Sequence, residues 1–314
     1  MALYDSAAMH PPDHQLSRLP MRFGLFISQA GRSWDEILGG FLLAEELGFD
    51  HGWLVDHFVD TDRSLEEPCL EAWTLLSAIA ARTTRIRLGV LVTSNTFRQP
   101  ALLLKEAVTV DHVSGGRLIL GIGAGWHADE HRRYGIPFPP SAERVGRLEE
   151  AVELIDLLQR NDRTTFHGRY YRLDDAPLSP RPVQRPRIPL LIAAHRPRML
   201  RLAARFADQW DTFPEIAGTA TDGVGLSLPE QVARFETACR EVGRDPGAIR
   251  RSTWAEADEA LASVDAFEAF VERHRRLGFT DFTVVLPPPG RRDVLGAVAR
   301  TAIPRLRAGD GAGR

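Results

Sequence analysis

Apolar positions along the chain fall into short blocks that alternate with stretches of helical period. Positions 22–27, Arg-Phe-Gly-Leu-Phe-Ile, form the first block and predict a strand. Beyond a turn at 29–32, Ser33-Trp34-Asp35-Glu36 has the form of a capping box, in which the hydroxyl accepts from an orphan backbone N–H and the carboxylate reaches back. Trp34, Ile37, Leu38, Phe41 and Leu42 then share one helical face, and Gly48 stands where a left-handed stop belongs. The cycle repeats: strands at 52–56, 86–92 and 118–122, helices at 71–82 and 101–113, and a fourth helical face on Leu148, Ala151, Val152, Ile155 and Leu158. The four strands start about 30 to 35 residues apart, the length of one βα unit. Their near-continuous apolar character suits parallel strands covered on both faces.

The rhythm breaks after Arg160. Phe166, Tyr170 and Tyr171 precede Pro177, Pro180, Pro182, Pro186 and Pro189, which predicts an ordered insertion over about 161–188 rather than a flexible linker. Strands resume at 190–193, 209–213, 249–254 and 282–286, with helices at 198–206, 229–242, 264–277 and 293–306. Eight strands alternating with eight helices favour a closed (β/α)8 TIM barrel over an open doubly wound sheet. The expected organisation is a polar N-terminal leader over 1–20 and a single barrel domain over 21–314, with the insertion between the fourth helix and the fifth strand.

Composition narrows the function. Of 314 residues, 44% are hydrophobic and 26% charged, which excludes a disordered chain. No apolar run reaches the ~18 residues of a membrane span. A net charge of -3 asks for neither a nucleic-acid nor an anionic-membrane partner. Two cysteines, Cys69 and Cys239, make no disulfide framework and suit a reducing cytosol, and the leader lacks the layout of a secretion signal. A cytoplasmic protein acting on a small molecule is the expectation.

In a barrel, chemistry sits just beyond the strand ends. Asp56-His57-Phe58 follows the second strand: a carboxylate and an imidazole that serve proton transfer, or else a cap and a packed ring. Thr93-Ser94-Asn95-Thr96 follows the third and either bonds a polar planar ligand or is an ordinary polar loop. Gly121-Ile122-Gly123-Ala124-Gly125-Trp126 follows the fourth, where glycines let backbone approach a ligand. It is a poor dinucleotide fingerprint, because Trp126 occupies the last glycine position and the strand is not the first. His127-x-x-Glu130-His131 matches a zinc pattern, but no third ligand is evident downstream, so no metal is expected. Ala193-Ala194-His195-Arg196-Pro197 follows the fifth strand and reads as a backbone nest for phosphate or as a plain βα turn.

Taken in series, these segments resemble the bacterial luciferase-like superfamily, and within it the coenzyme F420-dependent oxidoreductases. The likeness is carried by Met21-Arg22-Phe23-Gly24-Leu25-Phe26, Val55-Asp56-His57-Phe58, Ile86-Arg87-Leu88-Gly89-Val90-Leu91-Val92-Thr93 and Arg98-Gln99-Pro100-Ala101. Ser114-Gly115-Gly116-Arg117-Leu118, Gly121-Ile122-Gly123-Ala124-Gly125-Trp126, Tyr134-Gly135-Ile136-Pro137-Phe138 and Ala203-Ala204-Arg205-Phe206-Ala207-Asp208-Gln209-Trp210 extend it. The resemblance implies a (β/α)8 barrel, usually a homodimer, that transfers hydride between F420 and a small organic substrate. An FMN-dependent monooxygenase using reduced flavin and oxygen, and a flavin-binding barrel without catalysis, are the alternatives. It also implies roles. Asp56 lies beside the ring and His57 handles substrate or a proton, with Trp126 and Glu130 in the same catalytic region. Leu91–Val92 forms a non-prolyl cis ledge behind the ring, and Thr93 and Ser94 bond ring or ribityl oxygens. Gly123, Ala124, Gly125 and Asp129 line the next wall. Ala193, Ala194 and His195 mark the phosphate end, held by backbone N–H groups. The sugar-phosphate branch carries a Glu where this chain has Trp126, which argues against glucose 6-phosphate as substrate.

Overall fold

A computed structural model describes residues 19–60, 64–212 and 226–311. The leader over 1–18 and Phe213, the expected end of the sixth strand, lie outside the described residues. The chain alternates β1 (Arg22–Phe26), α1 (Trp34–Glu46), β2 (His51–Leu54), α2 (Ala72–Arg82), β3 (Arg87–Val90), α3 (Pro100–Ser114) and β4 (Leu118–Gly123). After β4 come a short α4 (Ala128–Arg133) and a long α5 (Ser141–Arg160). The second half runs β5 (Leu190–Ala193), α6 (Pro197–Phe206), β6 (Gln209–Asp211), α7 (Leu228–Glu241), β7 (Arg250–Ala255), α8 (Ala257–Ala260), α9 (Val264–Arg275) and β8 (Asp281–Val285). All neighbours are parallel, in the order β3-β2-β1-β8-β7-β6-β5-β4, and β3 pairs with β4 to close the ring. The eight-stave barrel is the one that the alternation predicts.

Local signals behave as their chemistry requires. Ser33 and Glu36 form the capping box at the start of α1, and Gly48 ends that segment at φ 78°. Proline opens α3, α6 and α7, where a missing N–H costs nothing. The insertion holds an antiparallel hairpin, Arg163–His167 against Arg172–Pro177, outside the barrel.

Strand alternation sorts the core into two regions. Phe23, Leu25, Leu88, Leu120, Trp210 and Phe282 point outward into the helix layer. Trp53, Ile119 and Leu191 fill the barrel itself, with Phe26, Leu91 and Val92 packed on them from the C-terminal side. Gly24 has no room for a Cβ because the His51 ring lies 1.8 Å from where it would be. Among the described residues no helix is long and apolar enough to cross a membrane.

Candidate active site

The mouth is built at the C-terminal ends of β2, β3 and β4. Beyond β2, buried Gln29 brackets Val55, donating to its carbonyl at 2.6 Å and accepting from its N–H at 3.1 Å. Asp56 is buried, and its carboxylate accepts the Ser94 N–H at 2.8 Å and both ends of the Arg98 guanidinium at 2.7 and 3.1 Å. Burial pushes the Asp56 carboxyl up, and Arg98 opposes the shift. Arg98 also reaches Glu71, the N-cap of α2, and lies 3.4 Å from Glu106 on α3. Asp56 was expected to touch the cofactor. Its oxygens are instead spent on tying the end of β2 to the β3 loop, which makes it a positioning residue.

His57 points its Nδ1 at Glu130, 2.8 Å away, and the other Glu130 oxygen accepts the Phe58 N–H. Glu130 is brought there by α4, whose first turn is capped by His127 Nδ1 accepting from the Glu130 N–H. Burial pushes the Glu130 carboxyl up, but the His57 hydrogen bond and charge and the Phe58 N–H outweigh it, and the group sits below the usual carboxylate range. An ionised carboxylate only accepts, so Nδ1 of His57 carries a proton and Nε2 is left as the basic nitrogen. The His57 ring meets Trp126 edge-on at 5.6 Å and His127 at 6.0 Å, and Trp126 itself is 62% exposed.

The residues of the zinc pattern have other partners. Glu130 is spent on His57 and Phe58, and His127 Nδ1 on the α4 cap. His131 pairs through Nε2 with Thr96 Oγ1 at 2.7 Å and through Nδ1 with the His127 carbonyl. No group of three or more metal-ligating side chains able to hold an ion occurs among the described residues.

The Leu91–Val92 peptide is cis, at the position the resemblance named. β3 breaks there and resumes as Thr93–Ser94 against Ile122 and Gly123 of β4. β4 allows this approach through its glycines. A Cβ on Gly121 would lie 2.2 Å from the Val90 carbonyl oxygen, and one on Gly123 would lie 2.8 Å from the Val92 side chain. Leu91 and Val92 are half-buried at the inner mouth. Ser94 Oγ and Thr96 Oγ1 pair at 2.7 Å, and Gly125, at φ 80°, is the residue whose missing Cβ accommodates both hydroxyls. Ala124 is half-buried beside it. Asn95 is buried, its amide nitrogen bonds the Tyr171 hydroxyl at 3.3 Å, and its Oδ1 has no partner.

Three residues expected at the cofactor have other partners in the structure. Thr93 is fully buried and its hydroxyl accepts from Trp73 Nε1 at 3.2 Å, so it faces α2 and not the mouth. Asp129 is exposed and paired with Arg132 and Arg133 of its own helix, because an acid three and four residues ahead of two arginines finds them first. The Ala194 N–H is spent on the Asp211 carbonyl at 3.1 Å, as the ladder runs one residue past β5. His195 folds back to Thr212 Oγ1 at 2.9 Å, and burial lowers its pKa. The first turn of α6 follows, with Arg196 as N-cap and Pro197 after it. The strand-end reading had no sign of Arg98 as a clamp or of Asn95 Oδ1 as an orphan. The buried charge of Asp56 was the available signal for the first, since such a group needs a cation.

Comparison with known proteins agrees with this geometry. The description "Luciferase-like monooxygenase" belongs to a family model that matches residues 19–283. An F420-dependent glucose-6-phosphate dehydrogenase of Kineococcus radiotolerans is 35% identical over 67% of this chain and 59% of its own. The enzyme of the same name from Amycolatopsis mediterranei is 38% identical over 59% of this chain and 53% of its own. The matched stretch thus spans between half and three-fifths of these relatives. Among solved structures, an F420-dependent secondary alcohol dehydrogenase in complex with an F420-acetone adduct superposes with a TM-score of 0.75 at 20% identity, over 89% of this chain and 98% of that one. The monooxygenase RslO1 of Streptomyces bottropensis superposes with a TM-score of 0.72 at 23% identity, over 91% and 99%. At such identities these two bear on the fold alone. A family match over most of the chain, on a closed eight-stranded barrel, carries the assignment: the chain belongs to the luciferase-like monooxygenase family.

Proposed function

We propose that this protein is a coenzyme F420-dependent oxidoreductase acting on a small organic substrate. The observation that carries the reading is the His57–Glu130 pair at the same end of the barrel as the half-buried Leu91–Val92 ledge. Several features suit a ring with a polar edge and a long tail. The ledge offers apolar surface next to the Ser94 and Thr96 hydroxyls, the Gly125 cradle leaves the wall open, and the buried Asn95 Oδ1 awaits a donor. F420 is favoured over FMN because the curated relatives at 35–38% identity carry that cofactor in their names. Bound there, a deazaflavin supplies two-electron hydride chemistry.

The protein's part is orientation and proton handling. Leu91 and Val92 would back the ring, Ser94, Thr96 and Asn95 would bond its polar edge, and the first turn of α6 would face the anionic tail. Glu130 would hold His57 in one tautomer, leaving Nε2 to take a proton from substrate oxygen or return it. Free thiols at Cys69 and Cys239 support a cytosolic setting, and the family resemblance supports a homodimer.

Titration of the purified protein with F420 and with reduced FMN tests the reading. F420 should bind, and His57→Ala should keep that binding while losing about 10²–10⁴-fold in turnover. Binding of reduced FMN with oxygen consumption, and none of F420, would establish the monooxygenase instead. Stoichiometric binding without turnover on any substrate would leave a binding barrel.

A further inference from the structure

The insertion lies outside the barrel, yet its tip is tied to the loop that follows β3. Its hairpin leaves the C-terminal end of α5 and folds back along that helix, so that the loop 168–171 meets Glu150 in the middle of α5. The Glu150 carboxylate accepts three successive backbone N–H groups, those of Arg169 and Tyr170 at 2.8 Å and that of Tyr171 at 3.2 Å. Successive N–H groups turned onto one anion make a backbone nest, and here the anion is a side chain of the protein itself. Gly168 permits the approach, because a Cβ there would collide with the Glu150 carboxylate. The Gly168 N–H closes the loop on the Tyr171 carbonyl at 2.9 Å. Tyr170 adds a ring face to the guanidinium groups of Arg147 and Arg169, 4.9 and 5.2 Å from its centre.

With the loop fixed in this way, Tyr171 reaches from the insertion to the barrel. Its ring packs on the core, Arg147 donates to its hydroxyl, and the same oxygen accepts from Asn95 Nδ2 at 3.3 Å. Asn95 is buried inside a turn over 94–97, which the Phe97 N–H closes on the Ser94 carbonyl at 3.1 Å. The barrel itself holds this turn at three points. The Ser94 N–H donates to Asp56 at 2.8 Å, the Asn95 N–H to the Gly123 carbonyl at 3.0 Å, and Thr96 Oγ1 pairs with His131 Nε2 at 2.7 Å. Tyr171 is a fourth point, supplied by the insertion. Loss of its hydroxyl would take the acceptor from a buried amide, and the turn would have to shift to replace it.

Resting on the proposed F420 site, we propose that Tyr171 is a positioning residue and the insertion a strap, which holds the 94–97 turn and with it the Ser94 and Thr96 hydroxyls in the geometry that binds the cofactor. The strap runs from Arg147 and Glu150 on α5, through the 168–171 loop, to the Asn95 amide. Tyr171 touches no reacting atom.

The test is Tyr171→Phe, which keeps the ring and removes the oxygen, with Tyr170→Phe as control. F420 binding is followed by absorbance, and amide hydrogen exchange is measured on the unliganded protein. Tyr171→Phe should weaken F420 binding about 10-fold, the scale of one hydrogen bond, and speed exchange at Ser94, Asn95 and Phe97 by a similar factor. Tyr170→Phe should do neither. In an Asn95→Ala background Tyr171→Phe should weaken binding no further, because the coupling runs through the amide. Parental affinity in Tyr171→Phe, or the same loss with Asn95 present and absent, overturns the proposal. Should Asn95→Ala fail to fold, the exchange pattern of Tyr171→Phe decides: acceleration confined to the turn supports the strap, and acceleration spread evenly over the barrel overturns it. Failure of the parent to bind F420 would remove the functional reading instead, and the exchange pattern would still decide whether Tyr171 holds the turn.

Discussion

Glu130 decides what His57 can do. Its carboxyl stays ionised in a buried setting because His57 and Phe58 both donate to it. Since its folded pKa is depressed, the pair's contribution to stability is full above the ordinary carboxylate value of 4.5 and is lost as pH falls through the lower folded value. Glu130→Gln keeps the shape and an acceptor oxygen but removes the carboxylate that fixes the His57 ring. It should lower kcat about 10–100-fold and leave F420 affinity unchanged. A variant with parental kcat would show that Glu130 merely packs. At this scale the sequence announced residue types well and directions poorly. Asp56, Thr93 and Asp129 were all polar residues at strand ends, as a site requires. Where each side chain points is set by partners that strand spacing does not reveal: Arg98 lies 42 residues from Asp56, and Trp73 lies 20 from Thr93.

At the scale of elements, apolar periodicity was enough to place all eight staves, because buried parallel strands must be apolar on both faces. It could not show that the strand of the 86–92 block ends at Val90 and resumes only at Thr93 beyond a cis peptide, since side-chain pattern carries no trace of the peptide geometry between. Nor could it show the π-helical turn Val298–Ala302 that interrupts the last helical stretch. The glycines of β4 did carry information of another kind. Gly121 is required by the Val90 carbonyl oxygen, a backbone atom with little freedom to retreat. Gly121→Ala must therefore push β3 away from β4. Overpacking of this sort costs about 1–3 kcal/mol, and the ledge is the part that shifts. The expected result is a lower melting temperature together with F420 binding weakened at least several-fold. A variant with parental melting and parental affinity would mean that the ledge does not depend on this contact.

Across the whole molecule the barrel interior is graded. The C-terminal end is aromatic and open, the middle is filled by Trp53, Ile119 and Leu191, and the N-terminal end is polar. That last layer holds Arg22, Arg87 and Arg250 on three strands with His51 and Asp281 among them. Arg250 and Thr280 hold one oxygen of Asp281, and Trp53 donates to His51 Nδ1. Burial pushes the His51 imidazole down to about 3, so it remains neutral at any working pH. Asp211, the last residue of β6, is the interior's weak point. Burial drives its carboxyl up to about 7, the Ser252 hydroxyl at 2.6 Å offsets part of that, and the charge of Asp281 adds to it. The native state then binds a proton that the unfolded chain has already lost above about pH 4. Stability must fall as pH rises from about 4 to about 7 and level off above, by about 1.4 kcal/mol for each pH unit of the window in the limit of full burial. Asp211→Asn keeps the acceptor for Ser252 and removes the titration. Denaturant melts of parent and variant should agree near pH 4 and diverge up to about pH 7, staying apart to pH 8 with the variant the more stable. Parallel curves across that range would place the proton elsewhere and show that Asp211 is ionised in the fold.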